Sequence, residues 1–400
     1  MEETRNDLDT YMKKVVIVGC GLFGSVCGRI LAEKGFKITI LEKESFVGGL
    51  AYDYKYKNCN VMVHKYGPHI LNLDHIEVYD FLNRFGTLVP VDVKRKVYVN
   101  NKAIPLPLNL ESIKMIIGEE KFPEVCQKLN KFFYTDEVLL GELMACESDE
   151  IRNLGQLIYD KVYLGYNLKM WGKRPEEINS AILQRMPIRM NYNKRLTRCK
   201  YQVVPKEGYY VLLSNMLDHD NIETIMRIDG TEVIKITGGA IYYKERMYQD
   251  ILVYTGPIDE LFNYEFGKLQ YRSLYFKNQL KKESIDDSAA VITYPDNYKK
   301  TRTTDMRMLI DQHDKVTVWV SEYPGEYVRK SNKFGKPSYP VNDLCDAEKM
   351  ESYKKKADSV DNLYLGGRLA EYKYYSMEET VLSAMSCAED INKKYGKNAI

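Results

Sequence analysis

Several features that would assign the chain to a large functional class are missing from its sequence. No apolar run reaches the length of about 18 residues that a membrane-spanning helix requires, and residues 1–14 are polar, without the apolar stretch of a signal peptide. The 58 basic and 56 acidic side chains leave a net charge of +2, so there is no basic excess to attract a nucleic acid. We therefore expect a cytoplasmic protein that binds neither membranes nor nucleic acids.

Paired cysteines are also missing. The chain has eight cysteines, but none form a CxxC pair and their spacing is irregular, which favours reduced thiols over disulfides or a metal site. The sequence shows no internal repeat and no low-complexity tract. With 44% hydrophobic and 28% charged residues over 400 positions, the composition is that of a folded protein of two or three domains.

The clearest pattern near the N-terminus is a strand, a glycine-rich turn and a helix. The apolar run 15–18 predicts a strand buried on both faces, and Gly19, Gly21 and Gly24 follow it with the spacing GxGxxG. A second predicted strand, 37–42, ends in Glu42, whose carboxylate can accept hydrogen bonds from ribose hydroxyls. This βαβ unit predicts a dinucleotide site, with the pyrophosphate at the positive N-terminal end of the helix.

The rest of the chain changes pattern twice. Residues 106–185 show amphipathic helical spacings, with Asn109 as a helix cap, and strand-like runs return between about 190 and 350. A last helix is predicted after Ser376, because Glu379 follows it at the spacing of a capping box. Strands and helices in this order predict an α/β protein.

The block NVMVHKYGPH, at 60–69, closely resembles the bacterial UDP-galactopyranose mutases. The resemblance extends from about residue 13 to residue 390. The paired Gly48 and Gly49 after the second strand are similar to FAD enzymes of the glutathione-reductase type. The further matching blocks are LPLN (106–109), GYNLKMWG (165–172), PIRMNY (187–192), YTGPID (254–259), GKLQYRSL (267–274), TR (301–302), YP (339–340) and the segment 367–374.

The resemblance implies a fold and a reaction. The implied fold has a discontinuous FAD-binding Rossmann-like domain (13–90, 206–265 and 356–395), a helical domain with a mobile substrate loop (106–185), and a twisted antiparallel sheet domain (91–105, 186–205 and 266–355). The implied enzyme is a homodimer whose FAD is reduced by NAD(P)H or a reductase. It interconverts UDP-galactopyranose and UDP-galactofuranose, for a cell-surface polysaccharide, by attack of the reduced flavin N5 on the anomeric carbon.

Matching positions in the family imply the site residues. Arg189 and Arg302 correspond to the pair that grips the diphosphate, and with His69 they are the implied catalytic residues. The implied mobile loop runs from Lys169 to Pro175. The implied substrate contacts are Tyr166, Asn167, Trp171, Arg189, Asn191, Tyr201, Arg272, Arg302, Tyr339, Tyr374, Asn72 and Val93. The implied cofactor contacts are Gly19, Gly21, Leu22, Phe23, Gly24, Glu42, Lys43, Gly48, Gly49, Leu50, His64, Gly67, Arg368, Tyr374 and Met377. No metal site is implied.

Four positions depart from the family pattern. Asn72 stands where the family has a second histidine beside the flavin, and an asparagine can neither titrate nor carry a positive charge. Val93 and, with a gap, Thr293 fall on family asparagines near the sugar, and Met190 replaces a phenylalanine. Because a changed set of polar partners changes which hydroxyls a site accepts, dTDP-fucopyranose and UDP-N-acetylgalactosamine are alternative substrates.

Two other classes of protein remain alternatives. An FAD oxidoreductase of the amine-oxidase type would oxidise its substrate, but the two arginines expected to grip a diphosphate argue against it. A non-catalytic protein that binds nucleotide sugars would need no flavin. A flavin absorption spectrum of the purified protein would therefore weaken this second alternative.

Overall fold

The computed structural model describes residues 13–174, 187–296, 298–310, 312–341 and 344–396. The strands are β1 (Lys14–Val18), β2 (Lys37–Glu42), β3 (Asp53–Lys55), β4 (Met62–His64), β5 (Leu71–Leu73), β6 (Leu88–Pro90), β7 (Arg95–Val99), β8 (Lys102–Leu106), β9 (Glu137–Leu139), β10 (Pro187–Arg189), β11 (Tyr201–Pro205), β12 (Ile222–Met226), β13 (Ile234–Thr237), β14 (Ala240–Tyr243), β15 (Arg246–Tyr248), β16 (Ile251–Tyr254), β17 (Tyr271–Lys281), β18 (Val291–Thr293), β19 (Arg302–Asp305), β20 (Thr317–Glu326), β21 (Pro337–Pro340) and β22 (Leu363–Leu365). The α-helices are α1 (Leu22–Glu33), α2 (Ile76–Asn83), α3 (Leu110–Ile117), α4 (Phe122–Phe132), α5 (Leu140–Met144), α6 (Asp149–Ile158), α7 (Gly165–Trp171), α8 (Tyr209–Leu217), α9 (Gly230–Val233), α10 (Ile258–Leu261), α11 (Met306–Leu309), α12 (Leu344–Asp358), α13 (Gly367–Ala370) and α14 (Met377–Tyr395).

The described residues form two compact units. One contains those of Met1–Gly49, Tyr210–Lys268 and Met350–Ile400, and the other contains those of Leu50–Tyr209 and Leu269–Lys349. No helix within the described residues is long and apolar enough to cross a membrane. The division into three domains implied by the resemblance stays a prediction.

The first unit is built on a parallel sheet in the order β12-β2-β1-β16-β22. Val16 and Ile17 of β1 and Ile40 of β2 are buried, as expected for central strands covered on both faces. Helix α1 connects β1 to β2 and packs against α14. Since the carboxyl ends of parallel strands lie at one edge, the glycine turn after β1 and Glu42 at the end of β2 are brought to the same edge of this sheet.

The second unit contains a larger sheet in the order β21-β17-β20-β19-β18-β7-β8. Its neighbouring strands are antiparallel except for the parallel pair of β18 with β7. The register places Arg302 opposite Glu322 and Arg272 opposite Tyr339. Side chains that lie opposite each other across two strands are close enough to interact, so the sheet itself pairs these residues.

Helices α3 to α6 and the π-helix Tyr159–Leu164 share a separate core in the second unit. Ile113, Leu129, Leu143, Ile151 and Ile158 are each fully buried in it. Within α6 the buried residues Ile151, Leu154 and Ile158 follow one another at the three- and four-residue spacings of an amphipathic helix. The helical character predicted for this part of the sequence is therefore confirmed, apart from residues 175–186, which lie outside the described residues.

Both helix caps predicted from the sequence are present. The Asn109 side chain accepts from the Ser112 N–H at 3.0 Å at the start of α3. The Ser376 hydroxyl oxygen accepts from the Glu379 N–H at 3.1 Å, and the Glu379 carboxylate accepts from the Ser376 N–H at 2.7 Å. The two predicted strands β1 and β2 are confirmed as well.

Replacing Ile151 by alanine should destabilise the helical core. Ile151 is fully buried among other apolar side chains, so its truncation leaves a cavity that costs about 2–5 kcal/mol. We expect urea unfolding, followed by circular dichroism, to shift to a clearly lower midpoint. Met115→Ala on α3 is the control, because Met115 is 36% exposed. Equal midpoints for the two variants would contradict the prediction.

Candidate active site

The turn between β1 and α1 has the geometry that its glycines predict. Gly19 has a φ of 100°, and its N–H donates to the Leu41 carbonyl at 2.8 Å. A Cβ on Gly24 would lie 2.0 Å from the Gly19 carbonyl oxygen, so only glycine fits there. Gly21 closely approaches the chain after β2, because a Cβ on Gly49 would lie 2.9 Å from its Cα. The turn is therefore tight, and its backbone can come close to a ligand.

Main-chain groups hold the Glu42 carboxylate beside this turn. The residue is 4% exposed, and its two oxygens accept from the Cys20 N–H at 3.0 Å and from the Glu44 N–H at 2.9 Å. The first turn of α1 contains no acidic residue and its cap makes no side-chain hydrogen bond, so the helix presents N–H groups and partial positive charge at this end. A fixed carboxylate beside such a helix end fits the ribose and pyrophosphate of a dinucleotide.

Other predicted cofactor contacts of the first unit flank the turn. Leu22 and Phe23 are the first residues of α1, and both are buried. A Cβ on Gly366 would lie 2.0 Å from the Phe23 ring, so that ring packs directly against the chain before α13. Gly48 lies after β2 and forms an isolated parallel β-bridge with Gly21 of the glycine turn. Lys43 is exposed.

A second cluster in the first unit surrounds the start of α14. The Arg368 guanidinium lies 4.9 Å from the centre of the Tyr374 ring and donates to the Tyr375 carbonyl. Tyr374 is 56% exposed. Met377 is the first residue of α14, whose N-terminus is fixed by the Ser376 cap. This segment therefore presents a cation, an exposed aromatic ring and a helix N-terminus.

In the second unit the two predicted histidines form a pair with defined tautomers. His64 is 1% exposed, and burial together with His69 lowers the pKa of His64 to about 3, so it is neutral at pH 7. His64 Nδ1 accepts from the His69 N–H at 3.0 Å. The His69 Nδ1 lies 2.8 Å from the Gly67 carbonyl oxygen, which can only accept, so this nitrogen carries a proton. In neutral His69 the basic nitrogen is therefore Nε2. Leu50 is the first residue of this unit and is partly buried.

Arg302 is a mostly buried cation with a fully buried counter-ion. Its Nε donates to the Glu322 carboxylate at 2.6 Å, and the two side chains are 16% and 1% exposed. Burial by itself lowers the pKa of Arg302, but Glu322, Tyr166 and Tyr339 outweigh this and raise it above its ordinary value. A guanidinium also has N–H donors on both terminal nitrogens, and these suit a phosphate group.

Arg272 forms hydrogen bonds with the C-terminal end of α7, the helix that carries Trp171. Arg272 is 8% exposed and donates to the Met170 carbonyl at 2.7 Å and the Lys169 carbonyl at 3.1 Å. A cation at this end of a helix satisfies carbonyls that have no partner within the helix. The Trp171 ring lies 6.0 Å from the Tyr339 ring, at an interplanar angle of 69°. The sheet and α7 thus bring four predicted substrate contacts together, namely Tyr166, Trp171, Arg302 and Tyr339.

Arg189 belongs to a second group of residues. It donates to the carbonyls of Asn193 at 3.1 Å and Arg195 at 2.6 Å, and its Nε lies 3.4 Å from the Glu137 carboxylate. With Asn191, these residues line a cavity of about 500 Å³. The two arginines expected to grip one diphosphate therefore have different neighbours in this structure.

Gln202 connects two of the positions that depart from the family pattern. Its Nε2 donates to Asn72 Oδ1 at 3.0 Å, and its Oε1 accepts from the Val93 N–H at 2.9 Å. Val93 is 1% exposed and its side chain packs in a hydrophobic core, so only its main chain joins this network. Tyr201 stands next to Gln202 on β11, and its ring lies 4.9 Å from the Tyr79 ring.

The remaining predicted positions have local roles. The Asn167 amide donates to the Tyr163 carbonyl at 2.9 Å and is 4% exposed. Thr293 lies opposite Arg302 across β18 and β19, and Met190 packs against the helical core. The mobile loop predicted from Lys169 to Pro175 is wrong over Lys169–Trp171, which form the last turn of α7 and end at Gly172, and Pro175 is outside the described residues. Among the residues that are described, no three His, Cys, Asp or Glu side chains are placed to hold a metal ion.

Sequence reasoning missed Glu322, Glu137 and Gln202. The signal for Glu322 and Gln202 was a polar residue at a buried position of a strand, which predicts a specific partner because an unpaired polar group there is costly. The identity of that partner depends on strand pairing and cannot be read from the local pattern.

Comparisons with known proteins agree with this geometry. The profile of UDP-galactopyranose mutase matches residues 161–374, and that of the NAD(P)-binding Rossmann-like domain matches residues 17–85. A dTDP-fucopyranose mutase from Escherichia coli is 31% identical over 384 residues, which cover 94% of this chain and 98% of that protein. The chain belongs to the UDP-galactopyranose mutase family.

Other members of the UDP-galactopyranose mutase family are similar over the whole chain. The probable UDP-galactopyranose mutase of Klebsiella pneumoniae is 28% identical over 382 residues, 94% of each chain. A crystal structure of reduced UDP-galactopyranose mutase has the same fold, with a TM-score of 0.70 at 15% identity, covering 97% of this chain and 95% of that one. The predicted family, the α/β fold with its Rossmann-like domain and antiparallel sheets, and the class of isomerase are confirmed. The roles of individual residues stay predictions.

Gly24→Ala should weaken the retention of a flavin. The added Cβ would meet the Gly19 carbonyl at 2.0 Å, so the glycine turn must distort, and we expect roughly tenfold weaker binding. The ratio of flavin to protein absorbance after gel filtration measures this. Gly141→Ala is the matched control, since a Cβ there meets no atom within 4 Å. Equal flavin content in the two variants would show that the turn does not hold the cofactor.

Proposed function

We propose that this enzyme uses reduced FAD to interconvert the pyranose and furanose forms of a sugar carried on a nucleoside diphosphate. The observation that carries the proposal is the mostly buried Arg302, which is paired with the buried Glu322 carboxylate and interacts with Tyr166 and Tyr339. The Rossmann-like turn with its fixed Glu42 supports a dinucleotide cofactor, and the paired Gly48 and Gly49 together with the mutase family favour FAD. A homodimer in the cytoplasm, reduced by NAD(P)H or a reductase, completes the proposal.

The residues of the second unit suit the cleavage of a glycosyl diphosphate. Changing the ring form requires that the bond between the anomeric carbon and the diphosphate breaks and forms again, so the free nucleotide must stay beside the sugar. Bound in its reduced form, FAD would supply the nucleophile for the anomeric carbon. Arg302 would stabilise the charge that develops on the diphosphate, and its position is fixed before the reaction begins. Tyr166 would stack on the base, and Trp171 and Tyr339 would cover the nucleotide.

His69 suits proton transfer during ring opening and closure. With its Nδ1–H donated to the Gly67 carbonyl, the imidazole is fixed in one tautomer and Nε2 can accept a proton from a sugar hydroxyl. His64 is deeply buried and its pKa is lowered to about 3, so it is too weak a base to take this role at pH 7. We assign His64 to positioning His69, because the His64 Nδ1 accepts a hydrogen bond from the main-chain N–H of His69.

For the sugar, we favour dTDP-fucopyranose. Asn72 replaces the family histidine and is anchored by Gln202, and the relative from Escherichia coli named as a dTDP-fucopyranose mutase is 31% identical, against 28% for the Klebsiella pneumoniae relative. Fucose is a 6-deoxy sugar, so it needs one hydroxyl partner fewer. UDP-galactopyranose, the substrate in the family's name, is the second candidate, and UDP-N-acetylgalactosamine is the third.

A substrate panel tests the proposed function. The purified enzyme, reduced with dithionite, is incubated with each of the three nucleotide sugars, and the products are separated by anion exchange beside oxidised controls. We expect a new isomer only with reduced enzyme, formed fastest from dTDP-fucopyranose. Net oxidation of a substrate would support an oxidoreductase instead. Nucleotide binding by a protein that carries no flavin would support the non-catalytic alternative.

Asn72→His should shift the choice of sugar. A histidine restores the family residue beside the flavin, so we expect the ratio of kcat/KM for UDP-galactopyranose to that for dTDP-fucopyranose to rise roughly tenfold. Asn60→His is the control, because Asn60 is exposed. An unchanged ratio would mean that position 72 does not select the sugar. Val93→Asn is not a useful partner variant, because the buried amide would destabilise the core.

A further inference from the structure

Lys169 places its ammonium group among main-chain carbonyls of the turn between β18 and β19, here called the β18–β19 turn. Its three N–H groups lie within hydrogen-bonding distance of four carbonyls, that of Tyr294 and those of Asp296 at 2.8 Å, Tyr298 at 3.0 Å and Lys300 at 3.2 Å from Nζ. Carbonyl oxygens that converge in this way repel one another unless a cation lies between them. Burial lowers the pKa of Lys169 to about 8, with Asp296 acting in the opposite direction, so the ammonium form predominates at pH 7.

The helix that carries Lys169 packs tightly against the same turn. Gly165 lies four residues before Lys169, and therefore on the same face of α7. A Cβ on Gly165 would lie 2.0 Å from the Pro295 carbonyl oxygen, so the backbones are in close contact. Arg272 holds the main chain of the same helical turn by donating to the Lys169 carbonyl. Two cations thus fix the position of α7. Arg272 of the sheet donates to its C-terminal carbonyls, and Lys169 of the helix itself donates into the β18–β19 turn.

The β18–β19 turn leads directly into Arg302. It is closed by the Tyr294 N–H, which donates to the Thr301 carbonyl at 2.8 Å. Lys300 lies 4.1 Å from the centre of the Tyr294 ring, and its Nζ donates to the Thr303 hydroxyl at 3.0 Å. A displacement of this turn would therefore be transmitted to the strand that carries the phosphate-binding guanidinium.

We propose that Lys169 is a positioning residue that couples α7, with Tyr166 and Trp171, to the β18–β19 turn and so to Arg302. The Lys169 ammonium would then set the distance between the groups proposed to stack on the base and the group proposed to hold the diphosphate. The inference rests on the proposed nucleotide-sugar site. It adds that the two sides of that site move together only while the carbonyls of the turn are filled by a cation.

The test compares Lys169→Ala, Gly165→Ala and the control Lys161→Ala in the full-length enzyme. Lys161 is exposed and lies in the helical segment just before α7. Binding of dTDP and of UDP to the oxidised protein is measured from tryptophan fluorescence, since Trp171 is one of only two tryptophans. We expect Kd to rise roughly tenfold in Lys169→Ala and Gly165→Ala, and to stay unchanged in Lys161→Ala. Propylammonium chloride, but not sodium chloride, should lower the Kd of Lys169→Ala again.

The outcomes separate this inference from the proposed function. If the wild-type protein binds neither nucleotide, the proposed function fails. If the wild-type binds and folded Lys169→Ala binds equally well, the role of Lys169 is overturned. A loss of affinity that propylammonium does not reverse would assign the effect to packing of the side chain and overturn the role of the ammonium. Should Lys169→Ala not fold, wild-type affinity in folded Gly165→Ala would overturn the coupling of α7 to the turn.

Discussion

A guanidinium that leaves water needs a counter-charge fixed in the fold, and the pairing of β19 with β20 supplies one. The register sets Arg302 opposite Glu322, whose carboxylate lies 2.6 Å from Nε. Removing Arg302 would leave the 1% exposed Glu322 carboxylate without its counter-charge, and breaking a fully buried pair in this way costs about 3–5 kcal/mol. A slip of one residue would turn either side chain to the opposite face of the sheet. The register of this sheet, the burial of Arg302 and the geometry proposed for phosphate binding therefore depend on one another.

The other two arginines of the second unit are held differently, and this difference matters for an anionic ligand. Arg272 donates to carbonyls at the end of a helix, and Arg189 donates to carbonyls and lies 3.4 Å from Glu137. Carbonyl partners leave a positive charge uncompensated, and burial lowers the pKa of both arginines, whereas the pKa of Arg302 is raised. Because Arg189 has Glu137 as an ion-pair partner whereas Arg272 donates to carbonyls, a bound anion would stabilise the Arg272 guanidinium more than that of Arg189.

The sequence predicted those features whose partners lie within a few residues. Glycine spacing predicted the turn at Gly19, and the capping box at Ser376 was correctly placed, because both are local interactions. Lys169 and Arg302 illustrate the limit. Their hydrogen-bond partners lie up to 131 and 20 residues away in the sequence, and the packing of helices and the pairing of strands determine which residues these partners are. Val93 shows the same limit. The family resemblance implied a residue near the sugar, whereas the fold buries the Val93 side chain in a hydrophobic core.

Gln202 determines what Asn72 can offer to a ligand. The Asn72 Oδ1 accepts from Gln202, so the side chain presents its amide N–H groups to other partners. Such a donor is available at every pH, whereas a histidine donates from a given nitrogen only in one tautomer or when protonated. Since Gln202 Oε1 is held in turn by the Val93 N–H, the amide of Gln202 cannot rotate to present its oxygen to Asn72 without losing that bond. Asn72 is thus a permanent donor where the family resemblance implies a titratable group, and in the proposed function its partner would be an acceptor oxygen of the sugar.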